Sequence, residues 1–319
     1  MKIVSLLPSA TEILCSLGLE NNLVAVTHEC DFPGEISHLP VVTASRISHE
    51  TMTSKEIDHA VRLQLDGHGS IYDLDTKLLE ELKPDLILTQ ELCDVCAVSY
   101  KQVESAAKMY VLDSNVVSLE PNTINDIFGS MIAVGKLARA EKNAVRVVDK
   151  LKRRIEIIRE KSSSISERPG VFMFEWLEPP FAPGHWVPEQ VDIAGGHCLL
   201  GEVGQRSVTT TYDAISESNP DVMVLVPCGY YIADTLRQLG NTCFPSSWRD
   251  IPALKNREVW AVDATSYFSR PGPRVVEGIE ILAKIFHPDL FGTPSEAEAV
   301  RVPANLIRFS QDNEFIFKN

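Results

Sequence analysis

A short phrase occurs twice in this chain, as Lys83-Pro84-Asp85-Leu86-Ile87-Leu88 and as Asn219-Pro220-Asp221-Val222-Met223-Val224-Leu225. Each copy follows a run with helical spacing, turns at Pro-Asp, and enters a short apolar stretch that reads as a buried strand. A second match lies upstream, where Glu12 precedes Gly18 and Glu189 precedes Gly195 with the same spacing. Two similar halves make an α/β protein of two similar αβ lobes. Domain interfaces and the carboxyl ends of parallel strands are where pockets form, so a ligand cleft is expected between the lobes.

A length of 319 residues suits about two domains. With 44% hydrophobic residues, 7% of the chain being aromatic, there is enough apolar material for two cores. A net charge of -14 repels a phosphate backbone, which excludes nucleic acid as a partner. The basic cluster from Lys150 to Arg154, with Arg146 and Arg159, is interspersed with Asp149, Glu156 and Glu160 and reads as a solvated helix face. No apolar run approaches the ~20 residues of a membrane span. Lys2 leads straight into Ile3-Val4-Ser5-Leu6-Leu7-Pro8, without the segments of a secretory leader. Seven cysteines, an odd number, fit a reducing compartment. The chain as given therefore reads as cytoplasmic, and as periplasmic if a leader has been removed from it.

Between the halves, residues 123–163 carry two apolar stripes. Ile124, Ile127, Phe128, Met131, Val134 and Leu137 form one; Ala144, Val147, Val148, Leu151, Ile155 and Ile158 form the other. They predict two helices with a break at Ala140-Glu141, the second roughly 30 Å long and able to act as a rigid bridge between the lobes. The expected organisation is an N-terminal αβ lobe (1–121), bridging helices (122–165), a C-terminal αβ lobe (166–292) and a tail without clear pattern (293–319).

Candidate chemistry gathers where predicted strands end. Val24-Ala25-Val26 runs into Thr27-His28-Glu29-Cys30-Asp31-Phe32-Pro33. Cys93-x-x-Cys96 follows the first Pro-Asp strand, and with His28 and Cys30 it offers four ligands to a metal ion. The same pair also fits a redox couple or unreactive thiols. The stretch from Glu175 to Trp186 is too rich in proline for regular structure, and its aromatics, Trp176, Phe181 and Trp186, can stack on a flat ligand. Tyr230 closes the strand of the second Pro-Asp phrase. His185 and His197 can serve as axial ligands to cobalt or iron, or bond a nearby carbonyl. Glu12 and Glu175 each cap or end a regular element and would face the cleft. Arg270 and Arg274 suit ligand carboxamides or phosphate, surface pairing or helix capping.

Ser5-Leu6-Leu7-Pro8-Ser9-Ala10-Thr11-Glu12, the Lys83-Pro84-Asp85 phrase, Pro180-Phe181-Ala182-Pro183-Gly184 with Ala194-Gly195-Gly196, and Arg270-Pro271-Gly272-Pro273-Arg274 together resemble the class III solute-binding proteins. The nearest likeness is to the cobalamin (vitamin B12) binding proteins of ABC importers, whose relatives bind siderophores and haem. The resemblance spans roughly residues 1–290. It implies a corrinoid gripped by aromatics from both lobes, with Phe181, Tyr267 and Phe268 at matching positions. Near the first lobe's wall, His28-Glu29-Cys30-Asp31 replaces an aromatic segment and Arg46 falls near a tryptophan position. The acidic residues with which the family docks on an ABC permease fall on Lys77 and Asp213, one reversed and one kept. The expected function is that of a carrier, sensor or importer-like binding protein for a flat, metal-bearing small molecule: a corrinoid first, haem or a siderophore next. A cytosolic hydrolase or thiol-dependent cofactor-processing enzyme on the same fold is the alternative, because fold alone does not settle function, although no GxSxG, Walker A or HExxH motif occurs.

Overall fold

Lys83 and Asn219, immediately ahead of the two Pro-Asp turns, both adopt left-handed backbone, with φ of 47° and 50° in the computed structural model. Residues 1–45, 51–68, 72–90, 114–163 and 165–310 are described. In each copy the aspartate reaches across to the start of a neighbouring strand. Asp85 Oδ2 accepts the Lys2 backbone N–H at 2.6 Å, and Asp221 Oδ2 accepts that of Gly170 at 2.8 Å. The aspartate's own N–H donates back to the carbonyl of the same residue, at 2.8 Å in both copies. The repeated phrase is thus a clip that sets the register of two adjacent strands. Asp221→Ala is expected to cost about 1–2 kcal/mol in urea unfolding, whereas Asp221→Asn, which keeps an acceptor, costs less than half of that.

The chain divides into two compact units: Met1–Ser48, Glu56–Arg154 and Arg270–Val275 form the first, and His49–Lys55, Ile155–Ser269 and Val276–Asn319 the second. The first holds a parallel sheet in the order Leu23–Ala25, Ile3–Ser5, Leu86–Thr89, Asn115–Ser118. The second holds His197–Cys198, Gly170–Phe174, Val222–Leu225 and Val259–Val262, also parallel, with antiparallel Ala299–Arg301 on its edge. In both sheets the strand of the Pro-Asp phrase lies third. Leu86–Thr89, Val222–Leu225 and Val259–Val262 are buried at every position, which is why they read as unbroken apolar runs rather than alternating ones. The second unit's core centres on Trp248, stacked on Phe244 at 4.8 Å and set edge-on to Tyr212 at 5.4 Å.

The two predicted helices are present at Ile124–Leu137 and Glu141–Ser162, 14 and 22 residues long. A reciprocal capping box starts the first: Asp126 N–H donates to Thr123 Oγ1 at 3.2 Å, and Thr123 N–H donates to Asp126 Oδ2 at 3.0 Å. The chain breaks at Arg139, whose φ is 59°. Leu137 and Val147 are half-buried, and the other members of both stripes are buried. No described helix is long and apolar enough to cross a membrane.

Three features differ from the sequence reading. The tail that showed no clear pattern contains regular structure in its described part, residues 293–310: the strand Ala299–Arg301 joins the sheet of the second unit. Arg301 pairs opposite Trp260, its guanidinium 4.8 Å from that ring's centroid and 2.8 Å from the Glu258 carboxylate. A three-residue edge strand is too short to show periodicity. The proline-rich stretch contains a strand, Phe181–Ala182, which pairs antiparallel with Val208–Thr209 and makes a bridge from Phe181 to Trp176. The helix Ser54–His68 and the antiparallel pair Thr43–Ser45 and Tyr72–Leu74 were not anticipated at all. The sequence also has a run of helical spacing over 99–109 and a strand-like Val111-Leu112, and both lie outside the described residues.

Candidate functional site

In the first unit the strand Leu23–Ala25 ends before Thr27, and residues 27–30 form a turn closed by Cys30 N–H on the Thr27 carbonyl at 3.1 Å. His28, Glu29, Cys30 and Asp31 are therefore placed by a turn rather than by strand alternation. Cys30 Sγ lies 3.1 Å from the hydroxyls of both Thr11 and Thr27, and Thr11 Oγ1–H donates to Ser5 Oγ at 2.8 Å. Burial pushes the Cys30 thiol up, against the lowering effect of those hydroxyls, so it rests as a neutral thiol. His28 points to other partners: Nδ1 lies 2.7 Å from Thr43 Oγ1, the ring 5.4 Å from that of Tyr72, and Nε2 3.4 Å from Glu29 Oε1. Among the described residues no three His, Cys, Asp or Glu side chains gather as a metal-holding group. Cys93, Cys96 and Arg46 lie outside the described residues.

Arg270–Val275 packs with this unit through a dense ion cluster. Arg270 donates to Glu12 Oε1 at 3.2 Å, to Asp31 Oδ1 at 2.6 Å and to the Glu29 carbonyl at 2.8 Å. Arg274 forks onto both oxygens of Glu12, at 2.6 and 2.9 Å, and its guanidinium lies 4.1 Å from the centroid of Phe32. The Glu12 side chain is 2% exposed and that of Arg270 7%. Arg270, expected to hold ligand, is engaged here by two carboxylates and a carbonyl. Its short donors give the 270–275 segment a fixed seat on the helix Pro8–Ser16 and the 27–32 turn.

In the second unit the strand Gly170–Phe174 delivers the chain into the proline-rich loop. Trp176 is half-buried; its indole N–H donates to the Ser54 carbonyl at 3.2 Å, and its ring lies 5.3 Å from that of Tyr230. Phe181 and Tyr267 are also half-buried. Trp186 and Phe268, expected as stacking faces, are 5% and 2% exposed, and Tyr230, a candidate at the end of its strand, is 0% exposed. Trp186 donates its indole N–H to the Phe268 carbonyl at 2.9 Å, so these rings pack inside the unit. The part-exposed aromatics of the loop are Trp176 and Phe181. His185 is half-buried with φ of 52°, and burial together with nearby Arg206 lowers its affinity for a proton. A neutral imidazole is the form that can coordinate a metal centre. His197 is exposed, at the start of the edge strand His197–Cys198.

The loop is pinned by a carboxyl. Glu175 Oε1 accepts the Gly184 backbone N–H at 3.3 Å, and Oε2 is in a short hydrogen bond with Ser207 Oγ. Burial raises the Glu175 carboxyl from 4.5 to about 8, so it holds its proton at neutral pH. Its position at a strand end was visible in the sequence; its tie to Ser207, 32 residues on, carried no signal there. Gly184 is needed because a Cβ at this position would lie 2.2 Å from the Ser207 nitrogen. Gly184→Ala is expected to force the two loops apart at a cost of about 1–3 kcal/mol, read as a lowered urea midpoint with an unchanged slope.

Lys77 and Asp213 occupy matching places in the repeat. Asp75 caps the helix Thr76–Leu82 by accepting the Leu78 N–H, Thr211 caps Tyr212–Glu217 by accepting that of Ala214, and Lys77 and Asp213 each follow two residues after the cap. Both are exposed. Opposite charges thus stand at equivalent positions of the two units.

Comparison with known proteins places this architecture. Residues 3–265 match the family described as periplasmic binding protein. The chain is 29% identical over 297 residues to an uncharacterized ABC transporter substrate-binding lipoprotein, YvrC, of Bacillus subtilis, covering 91% of this chain and 81% of that protein. It is 22% identical over 283 residues to the vitamin B12-binding protein of Vibrio cholerae, covering 88% of this chain and 86% of the other. Among solved structures it is similar to periplasmic vitamin B12 binding protein BtuF of V. cholerae, with a TM-score of 0.62, 20% identity and coverage of 89% and 96%. A periplasmic heme binding protein from Pseudomonas aeruginosa gives 0.67 at 17% identity, with coverage of 91% and 93%. The family match spans most of the chain, and the parallel sheets with their shared strand order agree with it: this chain belongs to the periplasmic binding protein family and has the fold of a solute-binding protein.

Proposed function

We propose that this protein captures a flat, metal-bearing small molecule, most specifically a corrinoid, as the binding component of an ABC importer. The observation that carries the reading is the loop leaving the strand Gly170–Phe174, which holds two half-buried aromatics, Trp176 and Phe181, and the low-affinity base His185 at the carboxyl end of a parallel sheet. Such strand ends are where α/β folds bind ligands. Aromatic faces suit a flat macrocycle and a neutral imidazole suits its metal. A vitamin B12-binding and a heme binding protein among the similar proteins support this ligand class. The similarity to an ABC transporter substrate-binding lipoprotein of B. subtilis supports an exported importer component over a cytoplasmic one. Lys77 in one unit and Asp213 at the equivalent place in the other make the charge pattern for a permease asymmetric, so a cognate permease would carry an acidic contact for one unit only.

Absorbance titration with cyanocobalamin, cobinamide and haem tests the ligand. Saturable 1:1 binding of a corrinoid, with a spectral shift lost in His185→Ala, is expected. Tight haem binding with no corrinoid response would shift the ligand to haem, and no response to any of the three would overturn the class.

A further inference from the structure

We propose that Glu175 is a positioning residue, whose carboxyl ties residues 181–185 to residues 204–207 and thereby fixes where Phe181 and His185 stand for ligand; this rests on the ligand reading above. The geometry is specific. One carboxyl oxygen takes the backbone N–H of Gly184, the residue before His185, and the other pairs with Ser207. Glu175 also fixes the neighbouring backbone: its N–H donates to the Phe181 carbonyl at 3.3 Å and its carbonyl accepts from Cys228 N–H at 3.2 Å. The two loops are closed on each other by His185 N–H on the Gln205 carbonyl at 2.5 Å and Gly204 N–H on the His185 carbonyl at 2.8 Å. The Gly184 backbone approaches that of Arg206 and Ser207 too closely to admit any side chain.

Charge state decides how well the clamp works. The carboxyl accepts from both the Gly184 N–H and the Ser207 hydroxyl, but burial of a carboxylate without a cationic partner is costly and outweighs those two bonds. The ionisable groups around it do not supply that partner. Cys228 adds a repulsive contribution, and Cys198, its thiol pushed up to about 12 by burial and by Glu175 itself, stays neutral. His185 is held neutral by burial and by Arg206. Ionisation of Glu175 is therefore expected to loosen the clamp as pH rises through about 8.

Two readouts on the full-length protein separate this proposal from the ligand reading. The first needs no ligand. Amide exchange at Gly184, His185 and Gly204 should accelerate at least tenfold in Glu175→Ala while amides of Val222–Leu225 stay unchanged. Glu175→Gln, whose amide mimics the neutral acid, should restore protection and abolish a pH-dependent loosening near pH 8 seen in the parent. The second is affinity for cyanocobalamin, expected to fall tenfold or more in Glu175→Ala and to remain within threefold in Glu175→Gln. Unchanged exchange in Glu175→Ala, or a pH transition that persists in Glu175→Gln, overturns the clamp whatever the ligand result. If the parent binds no cyanocobalamin, the exchange measurement alone decides.

Discussion

Glu12→Ala is expected to destabilise the protein by about 3–5 kcal/mol, far more than any surface charge change. Glu12 is 2% exposed and is the common acceptor of two guanidiniums, Arg270 and Arg274. Removing it takes away the carboxylate shared by the guanidiniums of Arg270 and Arg274, whose side chains are 7% and 14% exposed. The cost arises from uncompensated charge rather than from a lost attraction, because a buried pair offsets little more than its own desolvation while a broken one leaves that desolvation unrelieved. Lys136→Ala, at an exposed pair with Glu141, provides the control and should change stability by less than about 1 kcal/mol. Guanidinium unfolding of the two variants beside the parent measures both. Equal midpoints for Glu12→Ala and Lys136→Ala would mean that the cluster is a surface feature in solution.

The second large effect is a pH dependence of stability set by Glu175. In the folded protein burial keeps this carboxyl protonated up to about 8, against 4.5 for a free side chain. Between those values the folded state binds more protons than the unfolded one, so this group makes stability fall as pH rises, with the loss complete above pH 8. At ~1.4 kcal/mol for each tenfold change in proton affinity, the difference between pH 5 and pH 8 is on the order of 3 kcal/mol. Glu175→Gln lacks the ionisation, so its stability relative to the parent should grow across that range. Urea unfolding at pH 5, 6.5 and 8 gives the two curves. Parallel curves would show that Glu175 ionises as an exposed carboxylate does.

The repeat made much of the fold legible. The Pro-Asp phrase predicted two buried strands, and both lie third in sheets of the same order, because a fully buried parallel strand must be apolar throughout and so stands out in sequence. The stripes of residues 123–163 were equally clear, since two long helices repeat their periodicity several times. The helix Ser54–His68 was missed: its apolar positions are sparse and it is flanked by no strand signal. Side-chain partnerships were harder still. Arg270 looked like a ligand contact from its residue type, and only the fold reveals that Glu12, 258 residues away, already holds it. Trp186 looked like a stacking face from its residue type and Phe268 from the resemblance, but at 5% and 2% exposure both rings, like that of Tyr230 at 0%, are core material of the unit. Glu175 shows the converse. Its place after a strand was readable, whereas its surroundings depend on Gly184 from the far end of the same loop and Ser207 from another.

Thermal unfolding against cyanocobalamin concentration tests the binding role most directly. A ligand that binds only the folded chain stabilises it by about 2.7 kcal/mol at a hundredfold excess over Kd, so Tm should climb steadily with concentration after saturation at one equivalent. A Tm indifferent to cyanocobalamin, cobinamide and haem alike would contradict capture of a flat metal-bearing ligand by this chain.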